Sequence, residues 1–171
     1  MTLLSEHSRI TRHTPAAVFA LWSDPRTWST WDPEVRAVES EPPCAVGARG
    51  RLRPAKGPAL TFTVTALLPD ELFTDTARLP GARLEFEHLV AASGEGSRIS
   101  VTVRVRGPLA GVWRRVLRSS MGDAARTGVE GLVAHLDGAS PRDRGSAPAL
   151  PNPHRNPHPP VEEATAHAAA E

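Results

Sequence analysis

The sequence predicts an α+β domain in which one antiparallel sheet packs against a long C-terminal helix. Three observations support this class. Six consecutive segments have the alternating or β-branched character of strands, a connector rich in tryptophan and proline precedes them, and a long stretch with helical apolar spacing follows them.

The N-terminal segment predicts a strand followed by a short helix. Residues 3–12 have weak strand character, and Thr14-Pro15 is a favourable helix start, with Thr14 as the N-cap and Pro15 in the first position. Over the next two turns, the apolar side chains that would form one stripe are Val18, Phe19, Leu21 and Trp22.

A broken connector follows this helix. Asp24 before Pro25 predicts a second short helix, and Asp32-Pro33 directs the chain into extended geometry. The large rings of Trp28 and Trp31 are predicted to anchor this connector against the open end of the sheet. A curved sheet held open at one end is able to enclose a ligand.

Six predicted strands come next, each bounded by glycine, proline or polar turn residues. They are residues 34–41, 48–54, 60–68, 72–79, 83–92 and 98–106. With the first strand, the expected sheet has about seven strands.

The last predicted element is a long helix that begins after Gly107-Pro108. Its apolar positions are Leu109, Val112, Trp113, Val116, Leu117, Met121, Ala124, Leu132 and Leu136. Gly122, Gly128 and Gly131 interrupt good helix formers, each at a cost of about 1 kcal/mol relative to alanine. They indicate close packing or a kink, or else space for a ligand beneath the helix.

These segments together resemble the START-like or SRPBCC superfamily, in particular its small bacterial polyketide cyclase/dehydrase-like branch. The resemblance extends from Leu3 to about Asp137. It rests on the order of the elements, on the final helix, and on the motifs AVFALWSDP (17–25), Trp28, WDP (31–33) and VGARG (46–50).

The resemblance implies a helix-grip (START/Bet v 1-like) fold, in which a curved antiparallel sheet surrounds the long C-terminal helix. It also implies a hydrophobic cavity between sheet and helix, and hence a hydrophobic small molecule of polyketide, lipid or aromatic type as the partner. The superfamily includes polyketide aromatases and cyclases, hormone receptors and lipid carriers, so the fold does not by itself define the chemistry.

Composition divides the chain into a domain at residues 1–138 and a tail at 139–171. The tail is rich in proline, histidine and alanine and lacks an apolar pattern, so it is predicted to be disordered. Its prolines prevent His154, His158 and His167 from converging on one helical face, and no metal site or cofactor is predicted.

The formal net charge is +1, so no polyanionic partner is required and no nucleic acid is expected. Alternation places Arg49, Arg51 and Arg53 on one face of a strand, interpreted as a solvated outer face. Cys44 is the single cysteine, which excludes an intrachain disulfide. No segment is apolar enough to span a membrane and no N-terminal signal pattern is present, so a cytoplasmic location is expected.

The strongest candidate for chemistry comes from the predicted hairpin around Pro80-Gly81. A two-residue turn there pairs Asp75 with Phe86 and Phe73 with His88, and the apolar alternation places these four side chains on the inner face. Asp75 then lies diagonal to His88. An imidazole oriented by a carboxylate in an apolar cavity suits proton transfer, although such a pair could equally brace the sheet.

The candidate catalytic residues are therefore His88 and Asp75. The candidate pocket residues are Trp28, Trp31, Phe62, Phe73, Phe86, His88, Trp113 and Met121. The chain contains no tyrosine, so a phenolic acid of the kind that aromatase chemistry would use is missing.

Three functions remain open from the sequence. The first is a carrier or sensor that binds an apolar small molecule between sheet and helix. The second is an enzyme of cyclase or dehydratase type that uses His88 and Asp75. The third is an interaction protein whose interior is filled by its own side chains. The sequence predicts neither the ligand nor the oligomeric state.

Overall fold

The computed structural model describes residues 1–138, which form a seven-stranded antiparallel sheet and four α-helices. The predicted tail at 139–171 lies outside the described residues. The strands are β1 (Thr2–Thr11), β2 (Val35–Ser40), β3 (Arg49–Pro54), β4 (Leu60–Leu68), β5 (Leu72–Leu79), β6 (Ala82–Ser93) and β7 (Gly96–Arg106). The helices are α1 (Pro15–Trp22), α2 (Trp28–Trp31), α3 (Ala110–Met121) and α4 (Ala124–Gly138).

The sheet follows the chain from β2 to β7, and β1 then pairs with β7 at the other edge. The order is β1-β7-β6-β5-β4-β3-β2, and every neighbouring pair is antiparallel. Register shifts interrupt three of these pairs, between Leu3 and Ser5, between Val35 and Ala37, and between Val64 and Ala66. Such irregularities increase local twist and bend a sheet, which gives this one a concave inner face.

The N-terminal connector is built from the caps that its sequence predicts. The Thr14 hydroxyl accepts a hydrogen bond from the Ala17 N–H at the start of α1. The Asp24 carboxylate accepts one from the Arg26 N–H, where a 3₁₀ turn (Pro25–Thr27) leads into α2. Each cap satisfies a backbone donor that the helix itself leaves free.

The predicted long C-terminal helix is present in the structure but bent. It runs as two segments, α3 and α4, with the break at Gly122 and Asp123. Glycine has low helix propensity, so the break falls where the helix is weakest. The fold class predicted from the sequence, a helix-grip α+β domain, is confirmed.

The two helical segments are buried to very different degrees. Helix α4 packs on β1 and β7 through its apolar side chains, which are Val129, Leu132, Val133 and Leu136. Helix α3 lies over β1, β7 and β6, but Ala110 is its only buried residue. The interior under α3 is therefore covered more loosely than the interior under α4.

The outer face of the sheet is polar, as the alternation of its arginines predicts. Arg49, Arg51 and Arg53 are exposed. On β7, Arg104 donates to Glu87 and Arg106 donates to Glu85, at 2.8 Å in each pair. These cross-strand pairs keep charge off the inner face. Among the described residues, no helix is both long enough and apolar enough to cross a bilayer.

Candidate functional site

The β5–β6 hairpin brings the predicted pair onto the inner face. Gly81 has a φ of 64°, which suits the second central residue of the turn that a Pro-Gly pair favours. The resulting register places Asp75 opposite Phe86 and Phe73 opposite His88, as the turn position predicts.

His88 is enclosed by aromatic rings. Its ring centroid lies 5.3 Å from that of Trp22 and 5.7 Å from that of Phe73. Its Nδ1 lies 3.3 Å from the Phe73 carbonyl oxygen, which is only an acceptor, so Nδ1 carries the proton and donates. Burial lowers the pKa of His88 to about 4. The ring is therefore neutral at pH 7, with an unprotonated Nε2.

Asp75 is a buried carboxyl group whose side chain is only 5% exposed. Burial raises its pKa to about 8, and the hydrogen bond from its own backbone N–H only partly opposes this rise. The group is thus mostly protonated at pH 7. No hydrogen bond or ion pair joins it to His88 in the described chain, so the two are neighbouring neutral groups.

The inner face of β6 is incompletely covered at this point. Leu84 and Val90 are buried, whereas Phe86 and His88, which lie between them on the same face, are only half-buried. In the part of the chain that the structure describes, Trp31 Nε1 is the one buried side-chain polar atom without a partner. His88 Nε2 also has no hydrogen-bond partner among these residues but is not fully buried, so it borders accessible space.

The eight predicted pocket residues fall into two groups. Four are buried and four are half-buried. The buried ones are Trp28, Trp31, Phe62 and Phe73, and the half-buried ones are Phe86, His88, Trp113 and Met121.

Three of the buried residues, Trp28, Phe62 and Phe73, pack against one another. The Trp28 ring lies 5.2 Å from Phe62 and 5.8 Å from Phe73, centroid to centroid. Trp28 Nε1 donates to the Trp22 carbonyl oxygen at 3.1 Å. These rings form a fixed wall beside His88.

Sequence reasoning missed a cleft of about 140 Å³ beside this wall. It lies between the 3₁₀ turn and the β2–β3 connection, and its lining includes Asp24, Cys44, Phe62 and Val64. Burial raises the pKa of the Cys44 thiol, and the nearby carboxylates of Asp24 and Asp75 raise it further. Val64, which lines the cleft, lies opposite Asp75 in the register of β4 and β5.

The Phe62 ring, which lines the cleft, is positioned by the missing side chain of Gly50. A Cβ at Gly50 would lie 2.3 Å from the Phe62 ring, so the glycine lets this ring lie against β3. In the sequence, a glycine within a strand pattern, here Gly50 between two exposed arginines, indicates that another group approaches the backbone closely. This signal does not indicate which loop lies beside the Phe62 ring. In the structure it is the β2–β3 connection, which carries Cys44.

Comparisons with known proteins agree with this architecture. A family model described as "Polyketide cyclase / dehydrase and lipid transport" matches residues 2–137. No curated protein sequence matches the chain.

Several solved structures are similar in fold. Protein MLL2253 from Mesorhizobium loti aligns with a TM-score of 0.64 and 18% identity, over 79% of this chain and 97% of its own. Ara h 8.0201 aligns with a TM-score of 0.59 and 14% identity, over 78% and 96%. DynU16, a protein of the dynemicin biosynthetic locus, aligns with a TM-score of 0.58 and 16% identity, over 80% of this chain and 48% of its own. At these identities the similarity shows the fold alone.

Proposed function

Because the chain belongs to the polyketide cyclase / dehydrase and lipid transport family, we propose that it binds a hydrophobic small molecule between the inner face of the sheet and α3. The ligand is of polyketide, lipid or aromatic type. Asp75 and His88 are its polar contacts, and the aromatic wall of Trp28 and Phe73 lies beside it.

The observation that carries this proposal is the gap on the inner face of β6. Phe86 and His88 retain accessible surface although their neighbours on that face, Leu84 and Val90, are buried. Ligand sites in proteins are mostly apolar, with a few convergent polar groups that orient the ligand. An apolar ring, an imidazole and a buried carboxyl group on adjacent strands match that description.

The protonation states indicate which ligand groups fit. A protonated Asp75 donates a hydrogen bond, and the unprotonated Nε2 of His88 accepts one. A neutral ligand that carries both a carbonyl and a hydroxyl group would satisfy the two residues together. A ligand carboxylate would be disfavoured, since among the described residues no side chain that is cationic at pH 7 is placed beside Asp75 and His88.

The bound state requires the interior to widen. The cleft of about 140 Å³ beside the 3₁₀ turn has no lining residue from α3, and it is smaller than the several hundred Å³ that drug-sized ligands usually occupy, so the ligand needs additional space under α3. Helix α3 is the element suited to move, because it is loosely covered and Gly122 separates it from α4. Displacement of Trp113 and Met121 would then open the space in front of Phe86.

A second candidate is an enzyme of cyclase or dehydratase type. It is favoured by one observation: at neutral pH the site holds a protonated acid, Asp75, next to an unprotonated base, His88. Environments that drive two pKa values in opposite directions are typical of acid–base catalysis. His88 would accept a proton from an activated carbon while Asp75 donates to the substrate carbonyl oxygen.

Binding is tested by titrating the full-length protein with a panel of probes. The panel contains palmitate, 1-naphthol and a hydroxyanthraquinone, and tryptophan emission reports binding because Trp22 and Trp28 border the site. We expect saturable quenching by at least one probe. His88→Phe keeps an aromatic ring of similar volume but loses the Nε2 acceptor. We expect this variant to bind the hydroxyanthraquinone about tenfold more weakly, which is the effect of losing one neutral hydrogen bond.

Arg36→Ala, a change on the exposed surface of β2, is the matched control and should bind like the parent protein. Absence of saturable binding to every probe would favour the interaction protein with a filled interior. If turnover of a polyketide-like substrate is unchanged in His88→Phe while binding persists, the enzymatic candidate fails and the carrier remains.

A further inference from the structure

Helix α3 presents an apolar stripe to the exterior. Leu109, Val112 and Val116 are 44%, 59% and 58% exposed. Their spacing, three and then four residues, places them along one side of the helix. They lie beside the face that Trp113 and Leu117 turn toward the sheet. No described element covers this stripe.

The same helix is strongly basic. Arg114, Arg115 and Arg118 are exposed, and α3 contains no acidic residue. Within residues 1–138, no carboxylate lies at ion-pair distance from any of the three. An amphipathic helix of this kind, aliphatic on one side and cationic on another, is typical of helices that lie on anionic membranes.

A row of three arginines lies on the outer face of the sheet, at the end where the β5–β6 turn contacts the start of α3 from the inner side. The registers place Arg78 opposite Arg83 and Arg83 opposite Arg106, across β5, β6 and β7. Like charges on directly opposed residues destabilise a sheet. Only Arg106 has a carboxylate partner among the described residues, namely Glu85. The row is therefore a concentration of positive charge that the domain itself leaves largely uncompensated.

Hydrogen bonds fasten α3 to the same end of the molecule. The Leu109 N–H donates to the Gly81 carbonyl oxygen at 3.1 Å, and Trp113 Nε1 donates to the Pro80 carbonyl oxygen at 2.9 Å. We call this surface the hairpin end: the β5–β6 turn at Pro80-Gly81, the arginine row and α3. It gathers six arginines in a chain whose formal net charge is only +1.

We propose that the hairpin end is a peripheral binding surface for anionic lipid bilayers. The aliphatic side chains of α3 would enter the interfacial region, and the arginines would contact lipid phosphates. This inference is independent of whether the interior binds a ligand.

Two other occupants fit the observations less well. A second copy of the chain, related by a two-fold axis, would bring one cationic surface against another. A nucleic acid would satisfy the arginines but not the aliphatic stripe, which offers neither hydrogen bonds nor aromatic rings for base stacking. A bilayer with anionic headgroups satisfies both the charge and the apolar surface.

The test is co-sedimentation of the full-length protein with vesicles. One set contains phosphatidylcholine alone, and the other contains about 30% phosphatidylglycerol, which gives the surface a negative potential. We expect binding to the anionic set at about 0.05 M salt and a loss of most of it at about 0.5 M, where charges are screened. Failure to bind anionic vesicles at low salt overturns the proposal.

Two variants assign the binding to this surface. R115E/R118E should weaken binding at least 25-fold, since each of the two lost arginines contributes roughly a factor of five and the glutamates add repulsion. V112S/V116S should weaken it by about tenfold while leaving the charge unchanged, because less aliphatic surface is buried. All four side chains are exposed, and circular dichroism checks that the variants fold.

R36E/R98E is the matched control, with the same change in net charge at exposed positions outside the hairpin end. It should retain binding within about threefold, as expected for charges beyond the screening length. An equal loss in this control would mean a general charge effect and would contradict the proposal. Two further results would contradict the proposal. One is binding to duplex DNA that is tighter than binding to vesicles and depends on Arg115. The other is self-association that is lost in V112S/V116S, in a protein that does not bind vesicles.

Discussion

Gly131→Ala is expected to destabilise the domain by about 3 kcal/mol, the upper part of the range for overpacked sites. A Cβ at this position would lie 2.2 Å from the Trp31 carbonyl oxygen and 3.1 Å from Pro33 Cδ. The first contact is with backbone, which cannot rotate away, so α4 and α2 would have to separate. Thermal and urea unfolding, followed by circular dichroism, measure the loss.

Gly128→Ala is the matched control on the same helix, one turn earlier. Its Cβ would meet only Asp32 Oδ2, at 3.6 Å, which is an ordinary contact. This variant should gain up to about 1 kcal/mol from the higher helix propensity of alanine. If Gly131→Ala is as stable as Gly128→Ala, the close approach of α2 to α4 is wrong.

The second large effect concerns the pH dependence of stability and the buried carboxyl group of Asp75. Its folded-state pKa of about 8 lies above the ordinary value of 3.8, so between these values the folded chain holds a proton that the unfolded chain has released. Stability therefore falls as pH rises through this window, by about 1.4 kcal/mol per pH unit. From pH 6.5 to 8 the expected loss is roughly 2 kcal/mol.

Two other partly buried groups affect only the lower part of the pH range. Burial raises the pKa of Asp32 to about 6, so its contribution also falls with rising pH, but only up to that value. Burial lowers the pKa of His88 to about 4 from 6.5, so its contribution rises with pH over that interval and then stays constant. Of these three groups, only Asp75 therefore contributes to the loss of stability above pH 6.5.

Asp75→Asn is therefore expected to abolish most of the fall between pH 6.5 and 8. The melting temperature of Asp75→Asn minus that of the parent protein should therefore increase by several degrees from pH 6.5 to pH 8. Asp70→Asn, the same substitution in the exposed β4–β5 turn, is the control and should follow the parent curve. Parallel curves for Asp75→Asn and the parent protein would mean that Asp75 is ionised in the folded state.

Local signals were sufficient for most of the fold. Proline and glycine at the β5–β6 turn determine the hairpin register, because turn geometry and the two-residue side-chain period depend only on near neighbours. The caps at Thr14 and Asp24 are local in the same sense. The placement of Asp75 and His88 on the inner face follows from these signals.

Local signals were insufficient wherever distant segments meet. The glycines at 122, 128 and 131 look alike in the sequence, yet the structure gives each a different role. Gly122 lies at the break between α3 and α4, Gly128 leaves an ordinary contact with Asp32, and Gly131 admits the Trp31 backbone. Helical periodicity gives no information on which segment will pack against each glycine.

The protonation states of the candidate site illustrate the same limit. Register predicts that Asp75 and His88 are neighbours, but the sign of each pKa shift depends on desolvation, to which distant segments contribute, such as α1 with Trp22 against the His88 ring. The sequence does not predict the sign of either shift, whereas burial in the folded structure favours the neutral form of both groups.

The sequence by itself determined the order of the elements, their caps and turns, and the face on which each strand residue lies, because these depend on interactions within a few residues. Tertiary structure alone decided where the helix bends, that Cys44 lines a cleft together with Phe62, and that three arginines line up across β5, β6 and β7 near a stripe of α3 that no described element covers. These features arise from contacts between segments tens of residues apart, whose formation depends on the shape of the whole core.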